Sequence, residues 1–276
     1  MILILLTWYL IMNSACCFCP AEPIDQAMFV WDINLIDEEL LSDIKEDGFN
    51  KIYLYCSSDE DLFEEKLALI SDKHISVYAL NGSYTWIDKP NKLNKFFKYI
   101  SELDPSRYPH FEGIILDIEP YVLKDRDTES DYQTFQDLIL EAQKQAQTSD
   151  LTLNIVIPFW YDDVKLSNMK LDENLAEWII RTSDEVTVMA YRNKLYGDNG
   201  VLTLIENEAD YSKENEKKLI VTLETRPSEE GEHISFAGQE KTTVLQTFNE
   251  IKLRFKKRCN FIHYGVHDLE SWINMK

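Results

Sequence analysis

The strongest constraint on the fold of this chain is an alternation of strand-like and helix-like segments that runs from residue 28 to residue 272. Eight apolar runs of strand length recur, and the first seven are each followed by an amphipathic segment with helical spacing. The strand-like runs are 28–34, 51–56, 76–82, 111–121, 151–160, 185–193, 218–226 and 261–272. Eight such repeats in about 250 residues have the order and length of a TIM barrel. The sequence therefore predicts the α/β class and a (β/α)8 TIM barrel.

The competing arrangement is an open, doubly wound sheet. That fold usually carries a glycine-rich turn after its first strand, and the segment 32–35, Asp-Ile-Asn-Leu, contains no glycine. No low-complexity linker interrupts residues 27–276. We therefore expect one barrel domain over residues 22–276.

The first residues are typical of a targeting segment rather than of the fold. Ile2 to Met12 is an apolar run of signal-peptide length, too short to span a membrane comfortably, and small residues follow at Ser14 and Ala15. We expect residues 1–21 to be a cleaved signal peptide and the protein to be secreted or extracellular. The alternative is a lipoprotein signal with a lipid anchor on Cys16, although Asn13 stands where that pattern has an aliphatic residue.

Charge and cysteine content exclude several classes of function. The formal net charge is −21, and the acids are spread along the chain, which argues against nucleic acid or anionic lipid as a partner. The five histidines show no metal-ligand spacing, so neither a metal nor another cofactor is expected. Cys56 ends the second strand and Cys259 precedes the eighth, at opposite faces of a barrel, so both are expected to be free thiols. We expect a monomer.

The fourth strand-like run, FEGIILDIEPY at 111–121, carries acids at its carboxyl end. Side chains alternate along a strand, so one face is apolar, formed by Ile114, Leu116 and Ile118. The other face runs from Gly113 and Ile115 to Asp117 and Glu119. Two carboxyl groups this close, partly buried, disfavour double ionisation, so one should hold a proton near neutral pH, as a general acid requires. The alternative is a strand that ends in a solvated acidic turn.

Active sites of TIM barrels lie at the carboxyl ends of the strands. Aromatic rings, amides and a few charged groups gather at the predicted strand ends, a combination typical of carbohydrate sites. The candidate substrate-binding residues are Trp31, Asp32, Asn81, Trp86, Tyr121, Trp160, Arg192, His267 and Trp272. Taken singly, each aromatic residue is more typical of barrel core or rim than of a sugar site.

The fourth-strand segment resembles the D-G-x-D-x-D-x-E signature of family 18 glycoside hydrolases, the chitinase-like barrels. In register, Asp117 matches the third acid and Glu119 the catalytic acid, whereas Ile115 replaces the second acid. The segment 186–193, VTVMAYRN, resembles the M-x-Y-D of that family's sixth strand, so Tyr191 matches its site tyrosine and Arg192 replaces the aspartate. The family uses the N-acetyl group of its substrate as nucleophile. The two replacements affect the positioning of that group and leave the proton-donor position occupied.

A second resemblance is to the large clan of retaining barrel glycosidases, which place an acid/base Glu after strand four and a nucleophilic Glu after strand seven. Glu224 ends the seventh strand, and Glu119-Pro120 resembles the N-E-P motif of that clan, with Ile118 in place of Asn. Such a pair implies carboxyl groups roughly 5 Å apart. An ion pair of Glu224 with Arg226 or Arg192 is the alternative. The segments V-T-L-E-T and H-D-x-E-S-W also resemble secreted bacterial barrel proteins, a similarity that implies no reaction.

Together these observations favour a glycoside hydrolase-like protein acting on a carbohydrate or glycan. Glu119 is the expected general acid, Asp117 tunes and orients it, and Glu224 and Tyr191 complete the candidate catalytic set. One alternative is a non-catalytic, lectin-like glycan-binding barrel that has lost part of the acid set. Another is a structural or partner-binding surface protein that uses only the scaffold.

Overall fold

The computed structural model describes residues 24–126, 128–256 and 261–276, and in these ranges the chain forms a closed barrel of eight parallel strands. Each strand pairs with its sequence neighbours, and β1 closes the barrel against β8. The strands are β1 (Gln26–Val30), β2 (Lys51–Tyr55), β3 (Ser76–Asn81), β4 (Phe111–Leu116), β5 (Thr152–Pro158), β6 (Glu185–Met189), β7 (Lys218–Glu224) and β8 (Ile262–His267). The predicted (β/α)8 TIM barrel in one domain is confirmed. The signal segment predicted at 1–21 and Cys259 lie outside the described residues.

Helices cover the outside of the barrel. They are α1 (Glu38–Glu46), α2 (Glu60–Asp72), α3 (Asn91–Glu102), α4 (Thr128–Thr148), α5 (Leu175–Thr182), α6 (Val201–Leu204), α7 (Glu206–Glu214), α8 (Lys241–Arg254) and α9 (Leu269–Trp272). Aspartate side chains cap the amino-terminal ends of two helices. The Asp37 side chain accepts from Leu40 N–H at α1, and the Asp59 side chain accepts from Leu62 N–H at α2. In the described ranges, no helix is long and apolar enough to cross a membrane.

The alternation predicted for the fourth strand is confirmed. Ile114, Leu116 and Ile118 are buried in the large core between the barrel and the helices. Ile115 belongs instead to the cluster inside the barrel, together with Phe29, Tyr53 and Tyr78. At Gly113 a Cβ atom would lie 2.5 Å from the Thr152 carbonyl oxygen and 2.8 Å from the Tyr78 ring. A side chain would not fit there, so glycine lets β4 approach both neighbours.

Buried charges close the amino-terminal end of the barrel. The Lys51 ammonium lies 3.0 Å from Asp25 and 3.3 Å from Glu185, and Lys218 lies 3.4 Å from the same Asp25 carboxylate. The Tyr78 hydroxyl donates to Glu185 over 3.1 Å. Because buried charges are costly unless paired, this network fits a packed floor. Among the described residues, this end of the barrel is therefore closed by paired charges.

Candidate active site

The acids after β4 lie at the carboxyl end of the barrel. The β4 ladder continues one step beyond Leu116, since Asp117 N–H donates to the Asn81 carbonyl over 2.9 Å. Ile118 stays buried on the helix side, and Pro120 then starts a 3₁₀ turn over Pro120–Val122. The chain thus leaves the sheet immediately after Glu119, which places both carboxyl groups at the open end.

A cleft of about 300 Å³ opens there. Residues from the ends of β4, β5, β6 and β7 and from the loop after β7 line it. They are Glu119, Tyr121, Pro158, Phe159, Trp160, Met189, Tyr191, Arg192, Glu224, Ser228, Glu230 and Ile234. The cleft combines carboxylates with four aromatic rings, and its size suits a small part of a polar ligand.

The Glu119 carboxyl group is tied to the neighbouring turn. Tyr121 donates its hydroxyl to Glu119 Oε1. The Tyr121 ring lies edge-on to Trp160, with 5.0 Å between ring centroids, and 6.2 Å from Tyr161. Burial and the charge of Glu119 raise the pKa of Tyr121, so the phenol stays protonated and donates. One Glu119 oxygen is therefore held by a fixed ring, and the carboxyl group faces the cleft.

Asp117 is the group that retains a proton. Burial raises the pKa of Asp117 to about 7, and the charge of Glu119 adds to the effect, while His267 acts in the opposite direction. Its buried Oδ1 atom has no hydrogen-bond partner among the described residues. A carboxyl group that is half protonated at neutral pH therefore lies two residues before Glu119, on the same face of the strand.

Glu224 at the end of β7 is held through both oxygens. The backbone N–H of Arg226 donates to Oε1 over 2.7 Å, and His267 Nδ1 lies 3.0 Å from Oε2. The side chain is buried and lines the cleft from the side of β7. The two contacts fix both carboxyl oxygens, which orients the group towards the cleft.

His267 at the end of β8 connects Glu224 to the first strand. The Trp31 indole N–H donates to His267 Nε2 over 2.9 Å. Trp31 in turn lies between Phe29, at 6.5 Å between ring centroids, and Tyr55, at 5.6 Å. Neither Trp31 nor His267 lines the cleft. His267 contacts two residues that do, Glu224 and Tyr191, and Trp31 contacts His267.

Tyr191 follows β6 and lies among the acids. Its ring centroid is 5.9 Å from that of His267, and the residue lines the cleft. Burial raises the pKa of Tyr191 well above its ordinary value, and the charges of Glu224, Asp117 and Glu119 add to the effect. The hydroxyl group is therefore a neutral donor in a site rich in carboxylates.

Arg192 brings a positive charge into the cleft, where the resemblance to family 18 has an aspartate. Its Nη1 donates to the Tyr191 carbonyl over 2.7 Å, and its guanidinium group lies over the Phe159 ring at 5.0 Å. Its buried Nε atom has no hydrogen-bond partner among the described residues. The alternative of an ion pair between Arg192 and Glu224 does not form, because the guanidinium is turned towards Phe159.

Four predicted substrate-binding residues lie elsewhere. Trp272 is buried on α9, where its indole N–H donates to Asp47 over 2.9 Å. Trp86 is buried against α3, and it lines, with Asn81, a separate cavity of about 300 Å³. Asp32 is exposed and accepts from the Asn34 N–H over 3.1 Å, capping a 3₁₀ turn. In each case the local backbone directs the side chain away from the cleft.

The cleft also contains residues that the strand pattern does not predict. Phe159 lies in the 3₁₀ turn after β5, and Ser228, Glu230 and Ile234 come from the long loop between β7 and α8. Asn193 anchors that loop by donating from its side chain to the Glu232 and Ser235 carbonyls. Loop residues carry no periodic signal, so only the run of turn-forming residues at 226–232 marks this segment. Within the described ranges, no group of three or more His, Cys, Asp or Glu residues could hold a metal ion.

Comparison with known proteins identifies structures with a similar fold but no protein related in sequence. No protein-family model matches the chain, and no curated protein sequence matches it. A GH18 chitinase from Cycas revoluta, solved in complex with (GlcNAc)3, aligns over 91% of this chain and 96% of its own, with a TM-score of 0.54 and 14% identity.

The spore cortex-lytic enzyme SleL gives similar values in two species. The Bacillus megaterium structure aligns over 93% of this chain and 75% of its own, with a TM-score of 0.58 and 11% identity. The Bacillus cereus structure aligns over 90% and 71%, with a TM-score of 0.57 and 10% identity. The resemblance to chitinase-like barrels is thus confirmed at the level of the fold: the chain is a divergent (β/α)8 barrel similar in structure to these enzymes.

Proposed function

We propose that this protein is a glycoside hydrolase in which Glu119 is the general acid. The observation that carries the proposal is the composition of the cleft. Glu119 from the end of β4 and Glu224 from the end of β7 both line it, together with four aromatic side chains. Two carboxyl groups in one cleft are what hydrolysis of a glycosidic bond requires. The fold similarity to GH18 chitinases and to SleL supports the same class.

In this proposal each polar group has a separate role. Glu119 protonates the leaving oxygen, because it ends the strand at the mouth of the cleft, and Asp117, which is half protonated at neutral pH, supplies the proton. Glu224, held as a hydrogen-bond acceptor, stabilises the positive charge that develops on the sugar ring as the bond to the leaving oxygen breaks. Water then adds to the anomeric carbon, and its proton returns to Glu119. Tyr191 donates its neutral hydroxyl to the substrate near the reacting carbon. Tyr121 and Trp160 offer ring faces to the sugar.

Chito-oligosaccharides are the first substrates to test. The Cycas revoluta chitinase was solved with (GlcNAc)3, and this chain retains an aspartate, a glutamate and a tyrosine at the family positions 117, 119 and 191. Spore cortex glycans are the second class, because both SleL enzymes are cortex-lytic.

We further propose that residues 1–21 direct export and that the mature protein is a secreted monomer, with lipid anchoring as the alternative. Amino-terminal sequencing and mass spectrometry of the exported protein distinguish the two.

A second candidate is a lectin-like barrel that binds glycans without cleaving them. Two observations favour it: Ile115 is buried in the barrel interior where the family has an acid, and Arg192 lies over Phe159 in the cleft. Neither replacement removes the aromatic lining, so a sugar could still bind.

The deciding experiment is an activity screen with the purified, processed protein. New reducing ends are measured after incubation with chito-oligosaccharides and cortex glycans, and binding of the same glycans is measured by calorimetry. Hydrolysis by the wild-type protein that Glu119→Gln abolishes supports the enzyme. Binding without hydrolysis by either protein supports the lectin-like candidate, and absence of both leaves the scaffold without a glycan function.

A further inference from the structure

We propose that Trp31 is a positioning residue that fixes the proton of His267 on Nδ1 and thereby holds Glu224 as an oriented carboxylate. The inference rests on the proposed function only in that Glu224 faces the reacting sugar. It changes the role expected for Trp31 and His267 from contact with the sugar to control of the Glu224 carboxylate, which lines the cleft.

The first step follows from the chemistry of the indole group. A tryptophan side chain has one polar atom, Nε1–H, which can only donate. That atom lies 2.9 Å from His267 Nε2. The imidazole nitrogen must therefore accept, so it carries no proton. A neutral imidazole has one protonated nitrogen, and in His267 it must be Nδ1.

The second step follows from the position of Nδ1. It lies 3.0 Å from Glu224 Oε2 and donates its proton to that oxygen. The other oxygen, Oε1, accepts the Arg226 backbone N–H over 2.7 Å. Both oxygens of Glu224 therefore accept N–H groups, which fixes the plane of the carboxylate. Each donor on the path from Trp31 to Glu224 belongs to a ring or to the backbone, so its direction is set by packing.

The third step concerns the charges around His267. Glu224 faces it from β7 and Asp117 from the end of β4. Tyr191 from the end of β6 is uncharged, and Arg226 is paired with Asp268, 3.4 Å away. A second proton on Nε2 would point at the Trp31 N–H, donor against donor. The indole donor therefore opposes a proton on Nε2.

The packing of Trp31 agrees with a fixed donor. Its ring contacts Phe29 on its own strand and Tyr55 at the end of β2, and His267 lies edge-on at 6.2 Å. The residue is partly buried and lies outside the lining of the cleft. A sugar platform would need an open ring face in the cleft, which Trp31 does not offer. Without the indole donor, the His267 proton could lie on Nε2, and Glu224 would then lose its fixed donor.

Nitrogen-15 NMR of the histidine side chains tests the proposal without any need for activity. The His267 signal is assigned by its loss in His267→Gln. We expect wild-type His267 to be protonated on Nδ1 alone at pH 7. In Trp31→Phe, which keeps an aromatic ring and removes the donor, we expect protonation to appear on Nε2. The control is Trp86→Phe, a buried tryptophan beside α3, which should leave the His267 signal unchanged.

Two results would overturn the proposal: a wild-type His267 protonated on Nε2, or a Trp31→Phe spectrum identical to that of the wild type. If Trp31→Phe does not fold, Trp31→Tyr is measured instead, since its hydroxyl group can accept as well as donate and no longer imposes one tautomer.

Kinetics then separate positioning from sugar binding. With chito-oligosaccharide as substrate, Trp31→Phe should lower kcat about tenfold, the scale of one hydrogen bond, with KM nearly unchanged and a shifted pH profile. A rise in KM alone at an unchanged pH profile would mean that Trp31 contacts sugar, against the proposal. If the wild-type protein hydrolyses nothing, the proposed function fails, and the NMR result still decides the role of Trp31.

Discussion

Replacement of Asp117 by asparagine is expected to stabilise the protein at neutral and alkaline pH, although Asp117 belongs to the candidate catalytic set. Burial, and then the charge of Glu119, raise the pKa of Asp117 from 3.8 to about 7. One pKa unit corresponds to about 1.4 kcal/mol, so the ionised carboxylate costs roughly 4 kcal/mol of folding free energy above pH 7. Asparagine has the same shape and no charge, and the oxygen at the Oδ1 position loses no hydrogen bond, because it has none among the described residues.

The sign of the pH dependence follows from proton binding. Because the folded state holds the Asp117 proton more tightly than the unfolded state, the wild-type protein loses stability as the pH rises from 3.8 to about 7, and the loss levels off above. The asparagine side chain of the variant does not titrate. The stability difference between the two proteins should therefore be small near the lower pKa and approach about 4 kcal/mol at alkaline pH.

Urea denaturation of both proteins at about pH 4.5 and about pH 8 measures the difference in their free energies of unfolding. The two proteins should have equal m-values, so that the difference reports stability alone. Glu224→Gln is the contrasting control, since Glu224 accepts two N–H groups and its replacement should destabilise the protein at the higher pH. If Asp117→Asn destabilises the protein there, Asp117 is ionised and paired in the fold. The inference that Asp117 holds a proton beside Glu119 would then be refuted.

Four further outcomes are expected. Glu208 is buried on α7, its carboxyl oxygens have no hydrogen-bond partner among the described residues, and burial raises its pKa to about 8. Glu208→Gln should therefore raise the free energy of unfolding by roughly 3 kcal/mol at pH 7. An unchanged free energy of unfolding in urea would contradict this. Tyr191→Phe should lower kcat for a glycan while the melting temperature stays within a few degrees, and normal turnover would make Tyr191 a core residue. Cys56 is free and buried, with its pKa raised to about 12, so it should react with a thiol reagent only on unfolding. Peptide mapping of the processed protein should show no bridge between Cys56 and Cys259, and a bridge would contradict the two predicted free thiols.

The barrel was predictable because it depends on patterns that repeat along the chain. Alternation separates Ile115 from Ile114 and Leu116, and the two sets pack on opposite sides of β4. The same alternation turns Glu224 towards the barrel axis, since its neighbour Leu223 is buried in the outer core. The carboxyl ends of parallel strands meet at one face, so the order of the strands was enough to bring Glu119 and Glu224 into one cleft.

Side chains beyond the strand ends were predictable only where the chain continues in an extended conformation. Trp272 follows β8 in the sequence, but residues 269–272 form a helical turn that directs the indole outward to Asp47. The turn Tyr84–Trp86 likewise buries Trp86 against α3. Local backbone turns decide these orientations, and strand periodicity carries no information about them.

Hydrogen-bond partners across the barrel could not be predicted from the sequence, for a different reason. Trp31 and His267 are 236 residues apart, and their contact depends on β1 and β8 closing the barrel in one register. Their residue types suggested a sugar site, whereas in the structure Trp31 donates to His267, and His267 contacts Glu224. Which donor meets which acceptor depends on distances of a few tenths of an ångström, which no one-dimensional pattern specifies.

The measurement that tests the central claim most directly is the rate of glycoside hydrolysis by Glu119→Gln with leaving groups of different acidity. Glutamine keeps the size of the side chain and removes the proton, so hydrolysis of chito-oligosaccharide should fall by about 10²–10⁴-fold, with binding and thermal stability retained. Aryl glycosides with very acidic leaving groups should lose much less, because they need little protonation. Glu250→Gln is the matched control: Glu250 also accepts a tyrosine hydroxyl, from Tyr196, but on the exposed surface of α8, and its replacement should leave every rate unchanged. An equal loss for all leaving groups, or no loss at all, would contradict the role of Glu119 as proton donor.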